Sequence, residues 1–231
     1  MIVVIPALDE AERLPALLDR LRELHPDAPV VVVDDGSTDD TARVAREHGA
    51  HVVSHPFNLG YGAALQTGYR WALARGAERV VQLDADGQHD PELIDALLRP
   101  LEQGECDVVL GSRFLEETGY AMGRFQTLGR KVFEALGRIA GVQVTDPTTG
   151  FQALGRRALE LYVEDFFPHD YPDVDVLVVA ARRGLRIQER STPMGASPRP
   201  STLHGGLRTL YYLYKMLLSL WAASSRRRAD G

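Results

Sequence analysis

Val30-Val31-Val32-Val33-Asp34-Asp35-Gly36-Ser37-Thr38-Asp39 carries four β-branched residues, then two carboxylates, then a turn rich in helix-capping side chains. The apolar run has no polar face, as a strand covered on both sides of a parallel sheet requires. Ser37, Thr38 and Asp39 can accept the unpaired N–H groups of a following helix, placed over residues 39–48. The same succession recurs outward. Ile2 to Ile5 reads as a buried strand ended by Pro6, and Leu14, Leu17, Leu18, Leu21 and Leu24 mark one face of a helix. Strands are placed at residues 51–54, 79–83 and 107–110, with one helix reaching about Arg75 and another starting at Pro91, a residue preorganised for a first turn. Beyond residue 110 the alternation weakens to a helix at 125–140, a strand at 151–154, a helix at 175–183 and a strand at 186–190. Strand-helix alternation of this kind predicts an α/β fold, Rossmann-like, with a mostly parallel central sheet and helices on both faces.

The 231 residues suit one large domain, and 45% hydrophobic with 25% charged residues is an ordinary globular balance. A lone cysteine, Cys106, excludes an internal disulfide and a multi-cysteine zinc site. The 26 basic and 32 acidic residues argue against a nucleic-acid binder. They are unevenly spread: from Arg182 onward ten Lys or Arg stand against Glu189 and Asp230, leaving 16 basic and 30 acidic residues before it. The start lacks a basic region and its apolar run is short, so neither a signal peptide nor an anchor is expected there, and the location is read as cytoplasmic. Residues 207–223 are apolar nearly all round and are followed by Arg226-Arg227-Arg228. As a helix they would span roughly 25 Å, short of a transmembrane crossing. They are expected to lie on a membrane surface or a partner, with packing on their own domain as the alternative. The chain is therefore divided at 1–202 and 203–231.

Three strands end in acidic loops: Asp9-Glu10, Asp34-Asp35 and Asp84-Ala85-Asp86. In a parallel sheet those ends share one edge, where open α/β proteins bind ligands. Crowded carboxylates repel one another, so a bound cation best explains them. Asp84 and Asp86 suit a hard divalent ion, Mg²⁺ or Mn²⁺, which in turn brings phosphate oxygens. Asp34 or Asp35 can accept from a base or a ribose hydroxyl. Taken singly, Leu83-Asp84-Ala85-Asp86-Gly87 looks like a dehalogenase-type nucleophile motif and Asp34-Asp35 like a response-regulator receiver, but each matches one motif only. No glycine-rich P-loop is present.

Taken together, residues 2–10, Val32 to Asp39, Asn58-Leu59-Gly60 and Asp84-Ala85-Asp86-Gly87-Gln88 resemble, in order and spacing, the family 2 glycosyltransferases. Gly111-Ser112-Arg113-Phe114 and Asp146-Pro147-Thr148-Thr149-Gly150-Phe151 are similar to the branch of dolichol-phosphate mannose synthases and bacterial polyprenyl-phosphate glycosyltransferases. The resemblance implies a GT-A fold, a nucleotide-sugar donor, Mg²⁺ or Mn²⁺, inversion at the anomeric carbon and a polyprenyl phosphate acceptor. Carried over by position, it implies a nucleotide site of Pro6, Ala7, Asp9, Glu10, Asp34, Asp35, Gly60, Asp84 and Ala85, and a metal site of Asp84, Asp86 and Gln88. Arg113, Arg124, Arg130 and Lys131 would meet the acceptor phosphate. Asp86, Arg113, Asp146 and Asp175 are the catalytic candidates, with Asp146 orienting Arg113, and Asp175 or Asp173 as the base if the acceptor is a hydroxyl.

Two departures bear on the acceptor: Pro172-Asp173-Val174-Asp175 stands where a Glu is usual, and Ser197 to Thr202 replaces Arg-x-x-Gly-x-Ser-Lys. The alternatives are a sugar or lipid hydroxyl acceptor with the same donor, and a non-catalytic nucleotide-sugar-binding module on a membrane partner. Longer members of the family carry transmembrane helices, so a small integral membrane protein is an expected partner, at the inner face of the cytoplasmic membrane. His89 reads as a solvated loop residue, Tyr61 and Tyr69 as packing, and Gly60 with Gly62 as a close backbone approach before a helix N-terminus that can favour an anion.

Overall fold

The structure is a computed structural model and describes residues 1–115 and 144–192. Its strands are β1 (Ile2–Ala7), β2 (Val30–Asp34), β3 (His51–Ser54), β4 (Arg79–Gln82), β5 (Val108–Ser112), β6 (Gln152–Gly155) and β7 (Ile187–Ser191). The helices are α1 (Leu14–Leu24), α2 (Thr41–Glu47), α3 (Tyr61–Leu73), α4 (Ile94–Glu102), α5 (Arg156–Tyr162) and α6 (Val174–Arg182), and a 3₁₀ turn at Pro91–Leu93 leads into α4. One sheet runs in the order β3-β2-β1-β4-β6-β5-β7. Among the described strands only β6 is antiparallel to its neighbours, so β1 to β4, β5 and β7 all point the same way and their acidic ends reach one edge.

Alternating strand residues feed two cores. Val4, Val31 and Val33 pack under α3, α5 and α6 with Leu65, Tyr69 and Leu177. Val3, Ile5 and Val109 pack under α1 and α4 with Leu14, Leu21 and Leu97. Each fully buried Leu or Val contributes on the order of 2 kcal/mol. Helix α3 can lie close on β1 because Gly68 faces it: a Cβ there would stand 2.3 Å from Val4 Cγ1. That seating sets the height of Tyr61 over the sheet edge.

The structure corrects the sequence reading at two places. Pro6 continues β1, in register with Val33, instead of ending it. Val3 N–H points to β2, so by alternation the donor that Pro6 lacks would face β4, where pairing has stopped at Val4. Helix α5 starts directly after Gly155, the last residue of β6, with no intervening loop to announce it. No helix among the described residues is long and apolar enough to cross a membrane. The expected helices at 125–140 and 207–223 lie outside the described residues.

Candidate active site

The loops after β1 and β2 are laced together by their own acids and hydroxyls. Asp9 Oδ1 accepts Thr38 N–H at 2.7 Å, Ser37 Oγ accepts Asp9 N–H at 3.0 Å, and Thr41 Oγ1 accepts Glu10 N–H at 2.8 Å. Asp34 Oδ1 takes Ser37 N–H at 3.0 Å. Asp35 is fully engaged: Oδ1 accepts Leu59 N–H and Oδ2 accepts Gly60 N–H, both at 2.9 Å, and His55 Nδ1 lies 2.7 Å from Oδ1. Beside this frame is a cleft of about 340 Å³ lined by Pro6, Ala7, Asp35 and Gly60, with Leu8, Tyr61 and Tyr171. Of the residues expected around a nucleotide, these four reach the cleft, while Asp9 and Asp34 brace its walls and Glu10 bridges to Arg13 at 2.7 Å.

Gly60 caps α3 and Gly62 lies in its first turn, and both make the expected close backbone approach. A Cβ on Gly62 would stand 2.0 Å from Pro168 O, and the N–H groups of Gly62 and Ala63 donate to Asp170 O and His169 O at 3.0 and 2.9 Å. The close approach is made by the chain's own backbone. Those two donors of the helix N-terminus are therefore spent within the protein, which corrects its reading as an anion site.

Asp84 and Asp86 follow β4 and differ in their surroundings. Tyr61 Oη donates to Asp84 Oδ1 at 2.7 Å, and His89 Nε2 is 3.2 Å from Oδ2. Gln82 Nε2 donates to Tyr61 Oη at 3.1 Å, and Tyr69 Oη donates to Gln82 Oε1. Gly150 makes room for the carboxylate, since a Cβ there would stand 2.0 Å from Oδ2. Burial opposes the charge on Asp84, yet His89, the Tyr61 hydroxyl and the charge of Arg113 hold its carboxyl below the usual range. Burial and Asp84 itself push the Tyr61 hydroxyl well above its ordinary value, so it stays a donor. His89 is thus no solvated residue. It is 4% exposed and its ring lies 5.1 Å from that of Phe151. Tyr61 likewise does more than pack.

Among the described residues Asp86 accepts one hydrogen bond, from Gln88 N–H at 3.0 Å. Burial pushes its carboxyl above the usual range and Asp84 adds to the rise, against Gln88 N–H, His89 and Arg13. Among the described residues no side-chain donor reaches it. A half-buried carboxylate left short of positive charge fits a hard cation. No cluster of three His, Cys, Asp or Glu ligands occurs among the described residues. Arg13, whose charge acts on Asp86, was not singled out in the sequence; its only signal there is its place three residues after Glu10.

Arg113 follows β5 and is gripped by Asp146. Its Nε and Nη2 donate to Oδ2 and Oδ1, each at 2.6 Å, and its backbone N–H donates to Oδ2 at 3.1 Å. This two-pronged geometry fixes the guanidinium plane. Asp146 is 1% exposed, and the structure brings the two residues Asp146 and Arg113 together. Asp175 Oδ1 accepts N–H groups of Asp173 and Val176 at 3.2 and 2.9 Å and serves the first turn of α6. Arg124, Arg130 and Lys131 lie outside the described residues.

The family model described as Glycosyl transferase family 2 matches residues 2–162. An undecaprenyl-phosphate mannosyltransferase of Micrococcus luteus is 35% identical over 202 residues, covering 82% of this chain and 81% of that protein. A polyprenol monophosphomannose synthase of Mycolicibacterium smegmatis is 34% identical over 167 residues, 69% of this chain and 63% of that one. A crystal structure of glucosyl-3-phosphoglycerate synthase from Mycobacterium tuberculosis, in complex with Mn²⁺, UDP-glucose and phosphoglyceric acid, superposes with a TM-score of 0.71 at 27% identity, over 96% of this chain and 78% of that one. The match runs from β1 through α5 and takes in the acidic edge just described, and the chain belongs to glycosyltransferase family 2, with a GT-A-like fold.

Proposed function

We propose that this enzyme moves a hexose, with inversion, from a nucleoside diphosphate sugar to a polyprenyl phosphate at a membrane surface. The observation that carries the reading is one sheet edge holding both an under-compensated carboxylate, Asp86, and a guanidinium aligned by Asp146, with Arg113 close enough to Asp84 for its charge to act there. The similarity to proteins named for undecaprenyl-phosphate and polyprenol chemistry supports the acceptor class.

In this reading the cleft between Pro6, Ala7 and Gly60 receives the nucleoside, and the sugar diphosphate extends toward Asp86. Asp86, with Gln88 beside it, would hold a divalent cation, Mg²⁺ or Mn²⁺, which would supply positive charge against the leaving diphosphate. Asp84 turns inward to Tyr61 and His89 and keeps the loop that carries Asp86 in place. Arg113 binds the acceptor phosphate, helped by Arg124, Arg130 and Lys131. A phosphate monoester with a second pKa of about 6 is mostly dianionic at neutral pH, so its oxygen attacks without a general base. Residues 203–231 would seat the protein on the inner face of the membrane or on a small integral membrane partner.

A second reading, a hydroxyl acceptor that itself bears a phosphate, is favoured by the likeness to the synthase crystallised with phosphoglyceric acid. Here Asp173 or Asp175 would take the hydroxyl proton. Radiolabelled transfer assays with Mn²⁺ and a panel of nucleotide sugars, run on polyprenyl phosphate, polyprenol and 3-phosphoglycerate, separate the two. The lipid-phosphate reading expects turnover on polyprenyl phosphate alone, and turnover on 3-phosphoglycerate alone overturns it.

A further inference from the structure

Glu189 stands on β7, the last strand of the sheet, in register with Leu110 of β5. Its carboxylate gathers three donors from the segment that enters the Asp146 turn. Thr145 N–H reaches Oε1 and Oε2 at 2.9 and 2.8 Å, Thr145 Oγ1 reaches Oε1 at 3.0 Å, and Asp146 N–H reaches Oε1 at 2.9 Å. Thr145 Oγ1 also lies 2.7 Å from Ser112 Oγ, which accepts Phe114 N–H at 3.1 Å. One carboxylate therefore joins β7, the end of β5 and the residue that grips Arg113. Two consecutive peptide N–H groups aimed at one anion make a charge-assisted anchor, stiffer than a neutral cap.

We propose that Glu189 is a positioning residue for the acceptor site: it sets the backbone of Asp146, Asp146 sets the plane of Arg113, and that plane decides how tightly an anionic acceptor binds. The inference rests on the reading of Arg113 as an acceptor-phosphate ligand. The physical requirement is for two acceptor oxygens at the length of Glu. Gln keeps the length but turns an NH₂ toward the Thr145 N–H, and Ala leaves the Thr145 and Asp146 donors without their acceptor.

The test is steady-state kinetics of Glu189→Gln, Glu189→Ala and Arg113→Lys, with a short-chain polyprenyl phosphate and the nucleotide sugar each varied in turn. Glu189→Ala is expected to raise the acceptor KM about tenfold, in line with the loss of one charge-assisted hydrogen bond. Glu189→Gln should fall between it and the parent, while the donor KM stays within about twofold. If Arg113→Lys raises the acceptor KM and neither Glu189 variant does, the role of Glu189 is refuted and the acceptor reading stands. If none of the three moves it, the acceptor reading fails and takes the proposal with it. Equal losses in donor and acceptor KM would make Glu189 a general brace, which also overturns the proposal. Should Glu189→Ala fail to fold, Glu189→Gln carries the same comparison.

Discussion

Asp107 and Asp86 sit at opposite edges of the same sheet, one just before β5 and the other just after β4, and their surroundings are opposite as well. Asp107 Oδ2 accepts Arg186 N–H at 2.8 Å and Arg186 Nε at 3.3 Å, and Oδ1 takes Arg157 Nη1 at 3.2 Å. Burial opposes its charge, but these donors hold its carboxyl below the usual range. Among the described residues Asp86 has one backbone donor, and its carboxyl is pushed upward. The same chemical group is a fastener where its charge is answered by the fold. Where the fold leaves the charge partly unanswered, it is available to a ligand.

The strongest way to break this contrast is to remove one charge at each edge. Asp86→Asn is expected to cut transfer by roughly 100-fold or more, from the several kcal/mol a metal supplies to the departing charge. Asp107→Asn should leave turnover per folded molecule unchanged. Equal losses in a transfer assay would dissolve the distinction.

A second test leaves both acids intact and moves their neighbour. Gly150→Ala drives a Cβ into the space of Asp84 Oδ2, so the carboxylate must leave Tyr61 and His89. We expect about tenfold slower transfer, with about 1–3 kcal/mol lost from overpacking, read together by turnover and urea unfolding. Parental kinetics in this variant would show that the setting of Asp84 is irrelevant to chemistry.

The stability side of the contrast is smaller. Asp107→Asn should cost about 1–3 kcal/mol at pH 7, since the donors of Arg186 and Arg157 lose a charged acceptor. Because the folded pKa of Asp107 is depressed, its contribution is present above the unfolded carboxylate value and disappears as pH falls through the lower folded value. Parent and variant should therefore converge in stability in acid; a gap that persists there would count against the pairing.

The smallest effect near neutrality concerns Asp86 itself. On the proposed reading of Asp86 as a metal ligand, its raised pKa means that protons would compete with Mn²⁺ above the ordinary carboxylate value of about 4. Affinity should fall on acidification, by up to about tenfold per pH unit below the folded pKa. Calorimetric titration of Mn²⁺ with a nucleoside diphosphate measures this, and the acid limb should vanish in Asp86→Asn.

Much of this arrangement is legible locally. A β-branched run followed by acids and caps is readable because a buried strand and a helix start each impose a short-range residue pattern. Parallel topology then brings Asp35 and Asp84 to one edge without any coordinates. His89 reads as solvated because a histidine in an acidic turn has no local mark of burial; the ring beside it, Phe151, arrives from the residue just before β6, which pairs antiparallel beside β4. Pro6 reads as a stop because the local rule concerns a lost donor, and only the sheet shows β1 running on beside β2 through Ala7.

By itself the sequence determined the alternation of strands and helices, the gathering of carboxylates at the strand ends, and the order of motifs that marks the family. Those features depend on periodicity and short spacing, which a linear chain displays directly. Tertiary structure alone decided which carboxylate oxygens are spent and which remain: Tyr61 meets Asp84 across 23 positions and Glu189 meets Asp146 across 43. Hydrogen bonding acts over about 3 Å of space and is indifferent to distance along the chain, so the division between bracing acids and an open one exists only once the sheet has formed.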